Sequence, residues 1–308
     1  MQHQTVYISG SGAIGGLWAR HLLNANYPVT FISKQLDNVE NSIELKFNNL
    51  INNEVDQIQT QSIAQLSPEQ TKKIKILLVC VKSYQLSTAL NSIKHAIDSN
   101  SQVILFQNGM GNLEIAKQLI PEAKLFLASN THGANRTSDF CVTYAGAGKT
   151  LVGPATNSQS TAGISSFIDA LNNALPPVIW TQNIQDHLWE KLAVNAVINT
   201  LTARYQCPNG DLIKNPDLLL KLKQLVLELE QLYGQLGKQT IADNIQTNVS
   251  NIASLTAKNK SSMLQDRMNQ RPMELDAISG YVLTQAKTAG ISMPLLTELH
   301  DYLSNIHH

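Results

Sequence analysis

Thr5-Val6-Tyr7-Ile8-Ser9-Gly10-Ser11-Gly12-Ala13-Ile14-Gly15 begins as an apolar, β-type run and ends in a Gly-x-Gly-x-x-Gly turn. The residues after it, to Asn26, read as a helix. In this strand–turn–helix setting each glycine has a separate task. Gly10 permits a tight turn, Gly12 lets backbone approach a diphosphate, and Gly15 allows helix and strand to pack closely. Ser11, Ala13 and Ile14 fill the turn, and the helix N-terminus beyond it attracts anions. The same spacing also occurs in glycine turns that bind nothing.

Outward from this turn, strand-like runs alternate with helix-like ones. The strands are Thr5–Gly10, Pro28–Ser33, Lys75–Val81, Gln102–Asn108 and Lys124–Ser129, with helices over Ala13–Asn26, Tyr84–Asp98 and Leu113–Ile120. Near-continuous apolar strands separated by helices predict a doubly wound, mostly parallel α/β sheet of Rossmann type. Cys141–Ala145 and Thr150–Gly153 flank Gly146-Ala147-Gly148 and read as a hairpin. After Val178-Ile179-Trp180 the strand signals stop. Helical patterns follow over Asp186–Tyr205, Pro216–Leu236, Ala242–Lys258, Met273–Ala289 and Pro294–Asn305. Two domains are expected, a dinucleotide-binding domain over 1–183 and an all-helical one over 184–308.

A dinucleotide with a free ribose normally meets an Asp or Glu at the end of the second strand. Here that position reads Phe31-Ile32-Ser33-Lys34-Gln35, with no carboxylate before Asp37. Ser33 and Lys34 suit a 2′-phosphate, so NADP(H) is the expected cofactor. Lys34 also fits a solvated surface. Two further loops follow strands, where ligands collect in such sheets: Lys82 after Val79-Cys80-Val81, and Asn108-Gly109-Met110-Gly111. Asn108 reads equally as a turn residue or as a ligand to nicotinamide or substrate.

The helical half holds a second signal, Leu188-Trp189-Glu190-Lys191-Leu192-Ala193-Val194-Asn195-Ala196-Val197-Ile198-Asn199. From Leu192 to Ile198 only Asn195 is polar, so this helix should be buried nearly all round. Lys191, Asn195 and Asn199 recur every fourth residue and drift only ~80° over two turns, forming one polar line. A buried ammonium is costly without a partner. The line either faces a ligand-filled cleft or closes into a satisfied internal network.

Composition narrows the class. With 308 residues, 43% hydrophobic and 23 basic against 23 acidic residues, the chain can build two cores. It shows no basic block for nucleic acid or anionic lipid. No apolar run approaches membrane-spanning length and no signal peptide is visible. Cys80, Cys141 and Cys207 lack metal-ligand spacing and fit a reducing compartment. These features read as a cytoplasmic globular protein with no metal site, and monomer or homodimer is the expected state.

Taken together, these segments resemble the ketopantoate reductase (2-dehydropantoate 2-reductase) family over nearly the whole chain. The carriers are Gly10–Gly15, Gln107-Asn108-Gly109-Met110-Gly111, Thr131-His132-Gly133-Ala134, Trp189–Asn195, Cys207-Pro208-Asn209-Gly210-Asp211-Leu212, Ser261-Ser262-Met263-Leu264-Gln265-Asp266 and Glu274–Gly280. The resemblance implies NADPH-dependent reduction of a keto acid in coenzyme A biosynthesis, with Lys191 as general acid. It implies substrate contacts from Asn108, Asn195, Asn199, Asn209 and Ser262. Cofactor contacts are implied from the glycine turn, Lys34, Lys82, Asn108 and Ala134, with Glu274 where cofactor and substrate meet. Gln107 departs from a histidine expected in the family, and Lys34 from an arginine. Two other readings stay open: a β-hydroxyacid dehydrogenase, against which the Asn209 and Ser261–Asp266 segments argue, and a non-catalytic NADP(H)-binding sensor.

Overall fold

The computed structural model describes residues 4–32, 43–50, 54–60, 62–64, 73–138, 140–156 and 164–306. The chain divides into two compact units. One is Met1–Gln107 with Asn112–Gln185; the other is Asn108–Gly111 with Asp186–His308.

The first unit holds twelve strands among its described residues: β1 (Val6–Ser9), β2 (Val29–Ile32), β3 (Ile43–Asn49), β4 (Glu54–Thr60), β5 (Ser62–Ala64), β6 (Ile76–Val79), β7 (Gln102–Leu105), β8 (Lys124–Asn130), β9 (Gly133–Ser138), β10 (Cys141–Gly146), β11 (Thr150–Pro154) and β12 (Val178–Trp180). Its helices are α1 (Ala13–Asn24), α2 (Leu86–Ile93), α3 (Asn112–Leu119) and α4 (Ser165–Ala174). Eight strands form one sheet in the order β12-β11-β8-β7-β6-β1-β2-β5. Every pairing in it is parallel except β11 with β8. The doubly wound sheet expected from the strand–helix alternation is therefore present. Strand order reverses between β1 and β6, and this reversal opens the crevice where α/β proteins bind ligands.

A second sheet, β4-β3-β10-β9, lies outside that expectation. It corrects the hairpin reading of Cys141–Ala145 with Thr150–Gly153. β10 pairs antiparallel with β9 and parallel with β3, whereas β11 pairs with β8 and β12. Burial explains the split. β11 is buried along its whole length, as a strand inside a covered sheet must be, while β10 alternates. Gly148 carries the chain between the sheets where a Cβ would lie 2.4 Å from the Thr131 carbonyl.

Helix α1 buries Leu17, Trp18, Ala19 and Leu22 completely, each large side chain contributing about 1.5–3 kcal/mol. It packs on β9 and β10 as well as on the main sheet. Gly16 sits where a Cβ would come within 2.4 Å of Val142.

The second unit is helical: α5 (Ile184–Tyr205, starting at the end of the first unit), α6 (Asp211–Lys214), α7 (Pro216–Gln235), α8 (Gln239–Ala242), α9 (Ile245–Leu255), α10 (Ser262–Met268), α11 (Tyr281–Ala289) and α12 (Pro294–Asn305). The single helix expected over Ala242–Lys258 is broken at Asp243-Asn244. That over Met273–Ala289 begins as a π-turn, Asp276–Gly280. A buried carboxylate organises this unit. Glu228 on α7 accepts the Leu295 and Leu296 N–H groups at 2.8 and 3.1 Å, capping the start of α12.

Candidate active site

The glycine turn sits at the strand-order reversal. Gly10 has φ +105, and a Cβ there would lie 2.7 Å from the Val81 backbone nitrogen; at Gly15 it would lie 1.9 Å from the Gly10 carbonyl. Both glycines are demanded by the fold alone. Gly12 differs: nothing lies within 4 Å of its missing Cβ. It is the N-cap of α1, with no side-chain cap and no acid in the first turn. Donor-rich backbone with open space in front of it is a cradle for a diphosphate, so the residues present fit a dinucleotide.

Lys82 follows the Val81 backbone against which Gly10 packs and is half-buried. Ala134 lies on β9 opposite Tyr144. Lys34 lies outside the described residues. Gln107 has a clear structural role: its amide donates to the Val79 carbonyl at 2.8 Å and the Val81 carbonyl at 3.1 Å, tying the end of β7 to that of β6. On the connection from β8 to β9, His132 Nδ1 accepts the Gly148 N–H at 3.1 Å and lies 2.9 Å from the Tyr144 hydroxyl. His21 packs edge-on against Tyr144 and Phe47, and burial, reinforced by the Arg20 charge, lowers its pKa to about 4.

In the second unit, α5 behaves as its sequence demands. From Leu192 to Ala203 every residue is buried except Asn195. Lys191 and Asn195 keep partial exposure and Asn199 is buried, so access reaches the first two positions of the polar line. Burial lowers the Lys191 pKa to about 8, against the pull of the Glu274 carboxylate, which favours the charged form. Glu274 is buried and accepts a long 3.4 Å hydrogen bond from the Asn108 side-chain amide.

That contact is possible because Asn108–Gly111 belongs to the helical unit. The Met110 N–H donates to the Ala277 carbonyl at 2.8 Å. Gly109, at φ +77, passes so close that a Cβ would fall 2.1 Å from the same oxygen. Asn108, Lys191 and Glu274 are thereby brought into one electrostatic group.

Asn209 and Ser262 are placed by other supports. The Asn209 loop is held by Asn209 N–H to the Asn259 carbonyl, Gly210 N–H to the Ala257 carbonyl, both 3.0 Å, and Asn209 Nδ2 to Thr256 Oγ1 at 2.9 Å. The Asn209 Oδ1 atom is buried with no hydrogen-bond partner among the described residues, leaving an acceptor for a ligand. Ser262 is exposed at the start of α10, while its neighbour Ser261 is buried. Ser261 caps α10 through the Leu264 N–H at 3.1 Å and meets Thr202 of α5 at 2.7 Å. Asp266 binds Arg271 at 3.1 Å, fixing the turn that leads to Glu274. Sequence reasoning missed the π-turn and the Gln107 tie, and neither has a composition signal. Among the described residues no three His, Cys, Asp or Glu side chains gather to hold a metal, and no helix is long and apolar enough to cross a membrane.

Residues 6–157 match the family described as ketopantoate reductase PanE/ApbA, and residues 183–307 match its C-terminal part. A 2-dehydropantoate 2-reductase of Vibrio cholerae is 31% identical over 307 residues, covering 98% of this chain and 97% of that protein. Its counterpart in Archaeoglobus fulgidus is 30% identical, covering 94% of each. Among solved structures, a PanE/ApbA family ketopantoate reductase from Ralstonia eutropha JMP134 superposes with TM-score 0.85 at 23% identity, over 99% of this chain and 98% of that one. D-mandelate dehydrogenase with NADH and anilino(oxo)acetate superposes with TM-score 0.87 at 18% identity, with the same coverage. At such identities the structures speak for the fold.

Proposed function

The chain belongs to the ketopantoate reductase PanE/ApbA family, and on that premise we propose that it reduces 2-dehydropantoate to pantoate with NADPH, using Lys191 as the acid. The observation that carries the assignment of the acid is an ammonium set in an apolar helix and coupled to Glu274. Bound at the glycine turn, NADPH supplies the hydride that adds to the C2 carbonyl carbon.

The protein's own part is electrostatic. As charge develops on the carbonyl oxygen, the Lys191 ammonium stabilises it and then donates the proton that completes the alcohol. A pKa near 8 keeps the lysine charged at neutral pH yet ready to release its proton. Glu274 sustains that charge. Asn108, Asn195 and Asn199 offer amides along the same line, and Asn209 and Ser262 bind the substrate's carboxylate and hydroxyl, holding the carbonyl for attack. On the cofactor side Gly12 and its neighbours take the diphosphate, and Lys34, Lys82 and Ala134 complete the NADPH contacts. The free cysteines suit a cytoplasmic enzyme. A Staphylococcus aureus neighbour at 22% identity is described as dimeric; for this chain the reading is monomer or homodimer.

The test is NADPH oxidation with 2-dehydropantoate measured beside a panel of aliphatic and aromatic 2-keto acids. We expect 2-dehydropantoate to give the highest kcat/KM. Absence of turnover with it, or a better aromatic substrate, would overturn the assignment.

A further inference from the structure

We propose that Ser279 and His300 form a positioning pair that fixes the π-turn following Glu274 and seating Asn108, so that they govern the Lys191 site without touching a ligand. This rests on the reading of Lys191 as the acid.

The π-turn Asp276–Gly280 starts two residues after Glu274, and Ile278 N–H returns to the Glu274 carbonyl at 3.2 Å. Its Ala277 carbonyl receives the Met110 N–H, the bond that seats the Asn108 loop. One turn of backbone therefore sets both the carboxylate and the amide, and any shift in it moves both.

This turn is an irregular piece of helix, and such turns recur at functional sites. Its hydrogen bonding is crowded. The Leu275 carbonyl is approached by Ile278 N–H at 3.1 Å, Gly280 N–H at 2.9 Å and the Ser279 hydroxyl at 3.3 Å. A carbonyl has two lone pairs, so three donors share two places. The fully buried Ser279 hydroxyl has a better partner, His300 Nδ1 at 2.8 Å. His300 is itself held: it lies on α12, whose first turn Glu228 caps, and its ring lies beside Gly280, with Cε1 3.4 Å from where a Cβ on that glycine would stand. The pair thus links a capped helix to a turn that would otherwise relax.

The experiment compares Ser279→Ala, His300→Leu and His300→Asn with Asp301→Asn, an exposed neighbour on α12, as control. The first readout is hydrogen exchange at the Met110 amide in the full chain without cofactor. Loss of one buried hydrogen bond should speed it by up to about tenfold in Ser279→Ala and His300→Leu. His300→Asn, which keeps a polar group near the Nδ1 position, should restore much of the protection. The second readout is the pH profile of kcat/KM, whose alkaline limb should move to lower pH as Glu274 loses its placement. Unchanged Met110 exchange and an unchanged limb in the disrupted variants overturn the proposal, even with Lys191→Ala inactive. If Lys191→Ala stays active, the acid reading falls while Met110 exchange still judges the pair. Should Ser279→Ala fail to fold, the two His300 variants decide alone: equal exchange in both overturns the pairing.

Discussion

At the glycine turn the chain is marked by what it lacks, and on α5 by what it carries. Gly10 and Gly15 are forced by backbone contacts within the fold, whereas Gly12 faces open space. Between Lys191 and Asn199 on α5 every position except Asn195 is apolar, and polarity enters through one charge and two amides. A missing side chain is ambiguous, because sterics and ligand binding both call for glycine. A charge inside apolar surroundings is less so, since its cost needs a return. Each region therefore calls for a different kind of substitution.

The sharpest break is Lys191→Ala, expected to lower kcat by about 10²–10⁴-fold with the folded state intact; near-normal kcat in steady-state assays would remove the lysine from the chemistry. Next comes a contrast within the turn. Gly10→Ala should destabilise the first unit by about 1–3 kcal/mol, read as a lower melting midpoint. Gly12→Ala should melt like the parent but raise the KM for NADPH. Equal melting of the two variants would erase the distinction between steric and ligand glycines.

A third test concerns charge. Lys191 is protonated below its pKa of about 8, so kcat/KM should fall as pH rises through that value. Glu274→Gln removes the carboxylate that favours the ammonium, and the falling limb should move to lower pH. A limb that stays put would uncouple the two residues.

A last test concerns acid stability and rests on His21. Its pKa of about 4 in the fold, against 6.5 in an unfolded chain, means the unfolded state takes up the proton first. Stability from the neutral ring is full above pH 6.5 and is lost as pH falls towards 4. His21→Gln should flatten that acid slope in chemical denaturation series.

The β1–α1–β2 start, the parallel sheet and the polar line on α5 were legible because each rests on local periodicity. The second sheet was not read, although Ile43, Leu45 and Phe47 alternate with Glu44, Lys46 and Asn48. Its pairing of β3 with β10 joins segments almost a hundred residues apart, which no local pattern reports. α4 shows the same lapse at shorter range, with Phe167, Ile168, Ala170 and Leu171 marking its buried face. In the site, Lys191 announced itself by its neighbours. The attachment of Asn108 to the helical unit did not, because it depends on the Ala277 carbonyl and on a π-turn with no composition signature.

Those four residues, Asn108–Gly111, also constrain how such a chain can be cut and inherited. The helical unit is discontinuous in the gene: its larger part is encoded after residue 185, and one small patch is encoded among the strands. A fragment beginning at Asp186 would lack the peptide that satisfies the Ala277 carbonyl. A recombinant that exchanged only the C-terminal segment would inherit a mismatched patch from the other parent. The two units are separate in their cores but must travel together, since part of one is written inside the other.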